Sequence, residues 1–160
     1  MGIEIERKYL VDEARLRPLL GDGVAYCQGY LSSNELMAVR VRIAGERAWL
    51  TVKGAGKATA GGPATRPEFE YPIPLSDASE MLEQLVSGGC VRKQRYHIRH
   101  QGYLWEVDIF EGDNAGLIVA EVELESESAA PELPDWVTQD VSADPRYLNS
   151  NLAQHPFSEW

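Results

Sequence analysis

Eight separate stretches of this chain alternate in side-chain character with a period of two, and seven of them have a charged face, mostly of one sign. Side chains on a strand point alternately to opposite faces, so a period of two sorts them into two layers. Glu4, Glu6 and Lys8 share one face of the first stretch, while Ile3, Ile5 and Tyr9 take the other. Arg40 and Arg42 oppose Val39, Val41 and Ile43; Thr51 and Lys53 oppose Leu50 and Val52; Glu68 and Glu70 oppose Phe69, Tyr71 and Ile73. Further on, Lys93, Arg95, His97 and Arg99 oppose Tyr96 and Ile98, Glu106 and Asp108 oppose Trp105, Val107 and Ile109, and Glu121 and Glu123 oppose Val122 and Leu124. The pattern predicts strands over 2–11, 27–33, 36–44, 47–54, 67–74, 93–101, 103–111 and 117–125. Gly45, Gly102 and the 112–116 stretch punctuate them as hairpin turns do, which implies antiparallel pairing.

Each stretch taken singly fits a half-buried strand with one solvated face. The set does not fit that reading so well. A solvated face mixes signs and neutral polar residues, whereas here acid stands beside acid and base beside base. Like charges on one face repel, so something of opposite charge should lie among them. Carboxylate clusters suit hard divalent cations such as magnesium or manganese. Arg40, Arg42, Lys53, Lys93 and Arg95 suit a multiply charged anion, because guanidinium forks match phosphate oxygens and lysine adds a point charge. Needing both suggests a polyphosphate bridged by metal. An ion-pair network among the side chains themselves also satisfies the pattern, and the residues alone leave both readings open.

Composition narrows the field. With 160 residues and 44% hydrophobic content, the chain fits one domain, 1–160, with a real core. A net charge of -10 and a pI near 4.7 argue against a nucleic-acid partner. No apolar run approaches the ~20 residues of a membrane helix, and the start lacks a signal-peptide pattern, so the expectation is a cytoplasmic protein without a membrane partner. Cys27 and Cys90 have no CxxC spacing and are expected to be two buried structural thiols. His97 and His100 fall on opposite faces of one strand and do not make a ligand pair. Short helices are expected over 12–20, over 77–87 with Asp77 and Glu80 as a capping box, and from Asp144-Pro145 to about 153. Residues 54–66 form a glycine-rich loop without the Gly-Lys-Ser/Thr ending of a P-loop, and 126–143 an acidic connector.

The segment Glu4-Ile5-Glu6-Arg7-Lys8 resembles the ExExK signature of the CYTH superfamily, the triphosphate tunnel metalloenzymes. Arg40-Val41-Arg42, Trp49 to Lys53, Glu68-Phe69-Glu70, Lys93 to Tyr96, Trp105 to Asp108 and Ala120 to Glu125 follow in the family's order, and Asp144 to Leu152 is similar to the closing helix of short bacterial members. The resemblance implies an α+β, mainly β fold: an eight-stranded antiparallel closed barrel, a tunnel with its charged faces inward, and a few flanking helices. It implies Glu4, Glu6, Asp108, Glu121 and Glu123 as metal ligands, with Glu70 a further candidate and Glu68 or Glu106 orienting ligands. Arg40, Arg42, Lys53, Lys93 and Arg95 become the triphosphate cradle, and Lys8 either holds phosphate or acts on water. Tyr30 matches the tyrosine that short bacterial members pair with such a lysine, an ordinary strand aromatic being the competing reading. The implied activity is hydrolysis of inorganic triphosphate, dependent on Mg2+ or Mn2+, with a triphosphate-containing small molecule as partner and a homodimer left open. Adenylate cyclase of the class IV type, thiamine triphosphatase and a non-catalytic polyphosphate-binding module are the alternatives.

Overall fold

In the computed structural model, which describes residues 2–160, all eight alternating stretches become strands of one antiparallel sheet. In chain order the strands are β1 (Ile3–Val11), β2 (Val24–Ser33), β3 (Met37–Ala44), β4 (Arg47–Gly54), β5 (Lys57–Ala58), β6 (Ala64–Ile73), β7 (Val91–His100), β8 (Tyr103–Phe110), β9 (Ile118–Glu123) and β10 (Val137–Asp140). Eight of them run in the order β1-β9-β8-β7-β2-β3-β4-β6, and β6 pairs with β1 to close the barrel. The short β5 and β10 add to β6 and β1 outside that ring. Closure removes the open edges that a flat sheet would expose. Between β7 and β8, Gln101 (φ 48) and Gly102 (φ 83) both take left-handed backbone, the pairing a two-residue hairpin needs to follow strand twist.

The barrel is inverted relative to an ordinary core: charged faces point into the bore and apolar faces point out. Helices and loops must therefore cover its outside. The short helix α1 (Glu13–Leu16), capped by Asp12 at the Arg15 N–H, drives Leu16 against Tyr9, Trp105 and Val122. Trp136 closes over the same patch, edge-on to Trp105 with ring centroids 5.7 Å apart. Helix α2 (Leu75–Gln84) lays Ala78, Met81 and Leu82 over Val41, Ala48 and Leu50. It and the residues just after it approach so closely that a Cβ on Gly29 would sit 3.0 Å from Leu82 Cδ2 and 2.6 Å from Val86 Cγ2. At one end of the barrel, Tyr147 and Leu152 of the last segment, which includes α3 (Asn149–Leu152), pack on Val91, Phe110 and Val119. Each fully buried large apolar side chain contributes about 1.5–3 kcal/mol. Phe69 and Tyr71 of β6 stay about half exposed on the uncovered side.

The structure corrects several element boundaries. Helix α2 starts at Leu75 and ends at Gln84, and Asp77 caps nothing. Pro74 holds the N-cap position instead, and its fixed φ leads the chain into the first turn. The 12–20 helix shrinks to α1 plus a 3-10 turn over Arg17–Leu19 that contains Pro18. Asp144 does cap, but only a 3-10 turn, and the chain is extended at Leu148 before α3 begins. Strand β2 begins at Val24, β6 begins inside the expected loop, and β10 lies within the expected connector. The thiols are not buried structural groups: Cys27 is half-buried and Cys90 exposed, on the chain just before β7. Among the described residues, no helix is long and apolar enough to cross a membrane.

Candidate active site

Strand register decides which charges meet in the bore. Where β6 closes on β1, Glu4 stands opposite Arg66. On the other side of β1, Glu6 pairs with Glu123 and Lys8 with Glu121. Across β3, β4 and β6, Arg40 aligns with Thr51 and then Glu70, while Lys53 aligns with Glu68. Between β7 and β8, Arg95 lies opposite Asp108. All of these side chains except the wholly buried Thr51 and Asp108 line a cavity of about 250 Å³.

Glu4, Glu6, Lys8, Tyr30, Arg40, Arg42, Lys53, Glu70, Arg95, Glu121 and Glu123 all line it, as the sequence suggested. Lys93 and Asp108 do not; both are wholly buried behind the wall, Nζ to Oδ2 2.6 Å. Asp108 turns its oxygens to Arg95 as well, taking Nε at 2.7 Å and Nη2 at 2.8 Å. With Glu106 accepting Nη1 at 2.9 Å, the Arg95 guanidinium is held before any ligand arrives. Lys8 Nζ donates to the Tyr147 carbonyl at 3.2 Å and lies 3.6 Å from Glu121. Tyr30 is buried in the wall of β2, and among the described residues no hydrogen bond joins it to Lys8; its hydroxyl meets Gln28 Nε2 at 3.5 Å.

The charges inside are unevenly matched. Lys53 sits 3.1 Å from both Glu4 and Glu68, and Arg66 3.4 Å from Glu4. Burial pushes the Glu4 carboxyl up, but Lys53, a hydrogen bond with Glu68 and Arg66 overcome it and bring it down to about 2. Among the described residues Glu6 has no such close partner, its nearest cation being Arg66 at 3.9 Å. Burial, then Glu121 and Glu4, drive its carboxyl up to about 8. Glu121 moves the other way: Lys8, Arg95 and Lys93 outweigh its burial and hold it well below the usual range. On the basic side, burial together with Arg40 and Arg95 brings Arg42 down to about 10. Burial also brings Lys93 down to about 7 despite Asp108. One wall thus has a carboxyl with only a distant cation, and the opposite wall has in Arg42 a cation with no carboxylate within ion-pair reach among the described residues.

The donors around Glu6 are all carboxylate oxygens, the set a hard divalent cation prefers. Among the described residues, no three His, Cys, Asp or Glu side chains converge on one point. An ion held here would complete its shell with phosphate oxygens and water, as magnesium commonly does.

Four residues of the site were not anticipated. Arg66 has the parity of Glu68 and Glu70, a signal that the assumed loop over 54–66 concealed. Tyr26 and Gln28 share the parity of Tyr30. The Tyr26 ring lies 4.8 Å from Arg95 Cζ and 5.0 Å from Arg42 Cζ, a cation–π platform under the cradle. Asn149 reaches the bore from outside the barrel strands, with no sequence periodicity to mark it.

Comparison with known proteins adds an independent line. The CYTH domain family model matches residues 2–155. A curated inorganic triphosphatase from Acetivibrio thermocellus is 43% identical over 160 residues, covering 100% of this chain and 99% of that protein. Another, from Nitrosomonas europaea, is 34% identical over 158 residues, covering 94% and 96%. A crystal structure of an inorganic triphosphatase superposes with a TM-score of 0.61 at 33% identity, over 94% of this chain and 93% of that one.

Proposed function

The chain belongs to the CYTH domain family, and from that premise we propose that it hydrolyses inorganic triphosphate in the bore of its barrel, dependent on a divalent metal. The observation that carries this reading is the mismatch of charges: Glu6 has only Arg66, at 3.9 Å, while Arg42 lines the cavity with no carboxylate within ion-pair reach among the described residues. A metal-bridged phosphate chain relieves both at once, and an internal ion-pair network would have left neither.

In this reading Arg40, Arg42, Arg95 and Lys53 take the phosphate oxygens from the side of β3, β4 and β7. Arg95 arrives already oriented by Asp108 and Glu106, so little reorganisation accompanies charge build-up at the transferred phosphoryl. Glu4, Glu6 and Glu121 would hold magnesium or manganese, which when bound neutralises phosphate charge and polarises the phosphorus. Glu6 gives up its carboxyl proton on taking that role. Asp108 serves as an anchor for Arg95 and Lys93, since both of its oxygens are occupied behind the wall. Lys8 and Tyr30 line the cavity from β1 and β2, four strands apart around the ring, and would align the attacking water from across the bore.

A panel of tripolyphosphate, ATP and thiamine triphosphate, run with Mg2+ and with Mn2+, tests the reading. Phosphate release should be fastest from tripolyphosphate, with no cyclic AMP formed from ATP. Cyclic AMP production, or no release from tripolyphosphate with either metal, would overturn it.

A further inference from the structure

Gln28 is wholly buried in β2, and its amide is fully engaged. Its Oε1 accepts from Arg42 Nε at 2.8 Å, and its Nε2 donates to Asn149 Oδ1 at 3.1 Å. That same Asn149 oxygen accepts from Lys93 Nζ at 3.0 Å. The directions are self-consistent. Arginine and lysine can only donate, so Gln28 must present its oxygen to Arg42 and Asn149 its oxygen to Lys93. The remaining Gln28 N–H then finds the Asn149 oxygen, and turning either amide over would set donor against donor. Two cations from different strands, one lining the cavity and one buried behind its wall, therefore end on one atom of the C-terminal segment, Lys93 directly and Arg42 through Gln28.

We propose that Gln28 and Asn149 are positioning residues for the triphosphatase reaction: their amides form a relay that fixes Arg42 and Lys93 and ties both to the segment closing the barrel's end. The inference rests on the triphosphatase reading above for its catalytic consequence, though not for the relay itself. Arg42 carries its guanidinium on a long flexible stem, and the 2.8 Å bond at Nε leaves the two outer nitrogens free to meet phosphate. Without the relay, Arg42 keeps its charge but loses a fixed direction, and Lys93 is left with Asp108 alone. Substrate affinity falls more than the chemical step, and the two amides act as one unit.

The test compares Asn149→Ala, Gln28→Met and the double variant; methionine preserves the buried volume while removing all three hydrogen bonds of the amide, to Arg42, Asn149 and Tyr30. Each single change should raise KM for tripolyphosphate about tenfold with a much smaller change in kcat, and the double should be no worse than the worse single. A KM unchanged from wild type, or losses that multiply in the double, would overturn the relay. Asn149 is half-buried outside the barrel strands, so Asn149→Ala carries the test even if Gln28→Met does not fold. A second readout needs no turnover: exchange of the Arg42 Nε–H with solvent, followed by NMR. It should be slow in wild type and accelerate in both variants; equal protection in all three would overturn the proposal. If wild type releases no phosphate from tripolyphosphate, the triphosphatase reading fails, and the exchange measurement alone decides the relay.

Discussion

Lys93 Nζ sits 2.6 Å from Asp108 Oδ2 with neither side chain exposed, and Asp108 also carries Arg95 on its other oxygen. Removing the acid strands two buried cations at once. Asp108→Asn should therefore destabilise the protein by about 3–5 kcal/mol in urea unfolding. Lys93→Met should cost far less, because Asp108 keeps Arg95 and the volume stays filled. Equal losses from the two changes would contradict this assignment of the pair.

Glu6 gives a pH signature. Its folded carboxyl is pushed up to about 8, against an ordinary value of 4.5, by burial and by Glu121 and Glu4. Between those limits the folded chain keeps a proton that the unfolded chain has lost. This group's contribution to stability therefore falls as pH rises from about 4.5 and is fully lost once pH passes about 8. Urea midpoints in a chelator should show that fall, and Glu6→Gln should abolish it. Excess Mg2+, which selects the ionised form, should remove it in wild type. A Glu6→Gln profile parallel to wild type in the chelator would refute the assignment.

Arg66 has effects of opposite sign on the two ligands. It stands 3.4 Å from Glu4 and 3.9 Å from Glu6, so it competes with a cation and attracts an anion. Arg66→Gln should tighten Mn2+ binding and weaken tripolyphosphate binding, each several-fold, when the two are titrated separately by calorimetry. A shift of both in one direction would contradict the placement.

The C-terminal segment is held by apolar burial. Leu152 is 1% exposed against Val91, Phe110 and Val119. Leu152→Ala should cost about 2–4 kcal/mol and speed hydrogen exchange at the amides of Leu152 and Ala153, which bond back to Leu148 and Asn149. Wild-type stability in this variant would show that the segment is anchored some other way.

The strands were legible because a period of two survives whichever face is inside. Glu4 and Glu6 share a face in any register, and so do Arg40 and Arg42. Which face points inward was not legible from periodicity, since an inverted barrel and an ordinary one alternate identically; the family resemblance supplied it. The site was readable wherever a charged residue repeated on a strand. It failed at Arg66, hidden by a loop assignment that glycine content suggested, and at Gln28, a neutral amide among charges. Asn149 could not be found at all, because its place depends on Leu152 and Tyr147 docking on the barrel's end, a contact that local sequence does not encode. Asp108 shows the converse: its parity is that of Glu106, yet the fold turns its oxygens to Lys93 and Arg95 rather than to the cavity.

As proposed here, the bore's acidic and basic walls take a triphosphate together with a divalent metal, and Glu6 is the carboxyl that the metal would relieve. Phosphate release from tripolyphosphate with Mg2+ should be compared for wild type and Glu6→Gln, with anion binding measured alongside. Wild type should turn over, and the variant should lose roughly a hundredfold or more with tripolyphosphate still bound. Turnover undiminished in Glu6→Gln would contradict the proposal.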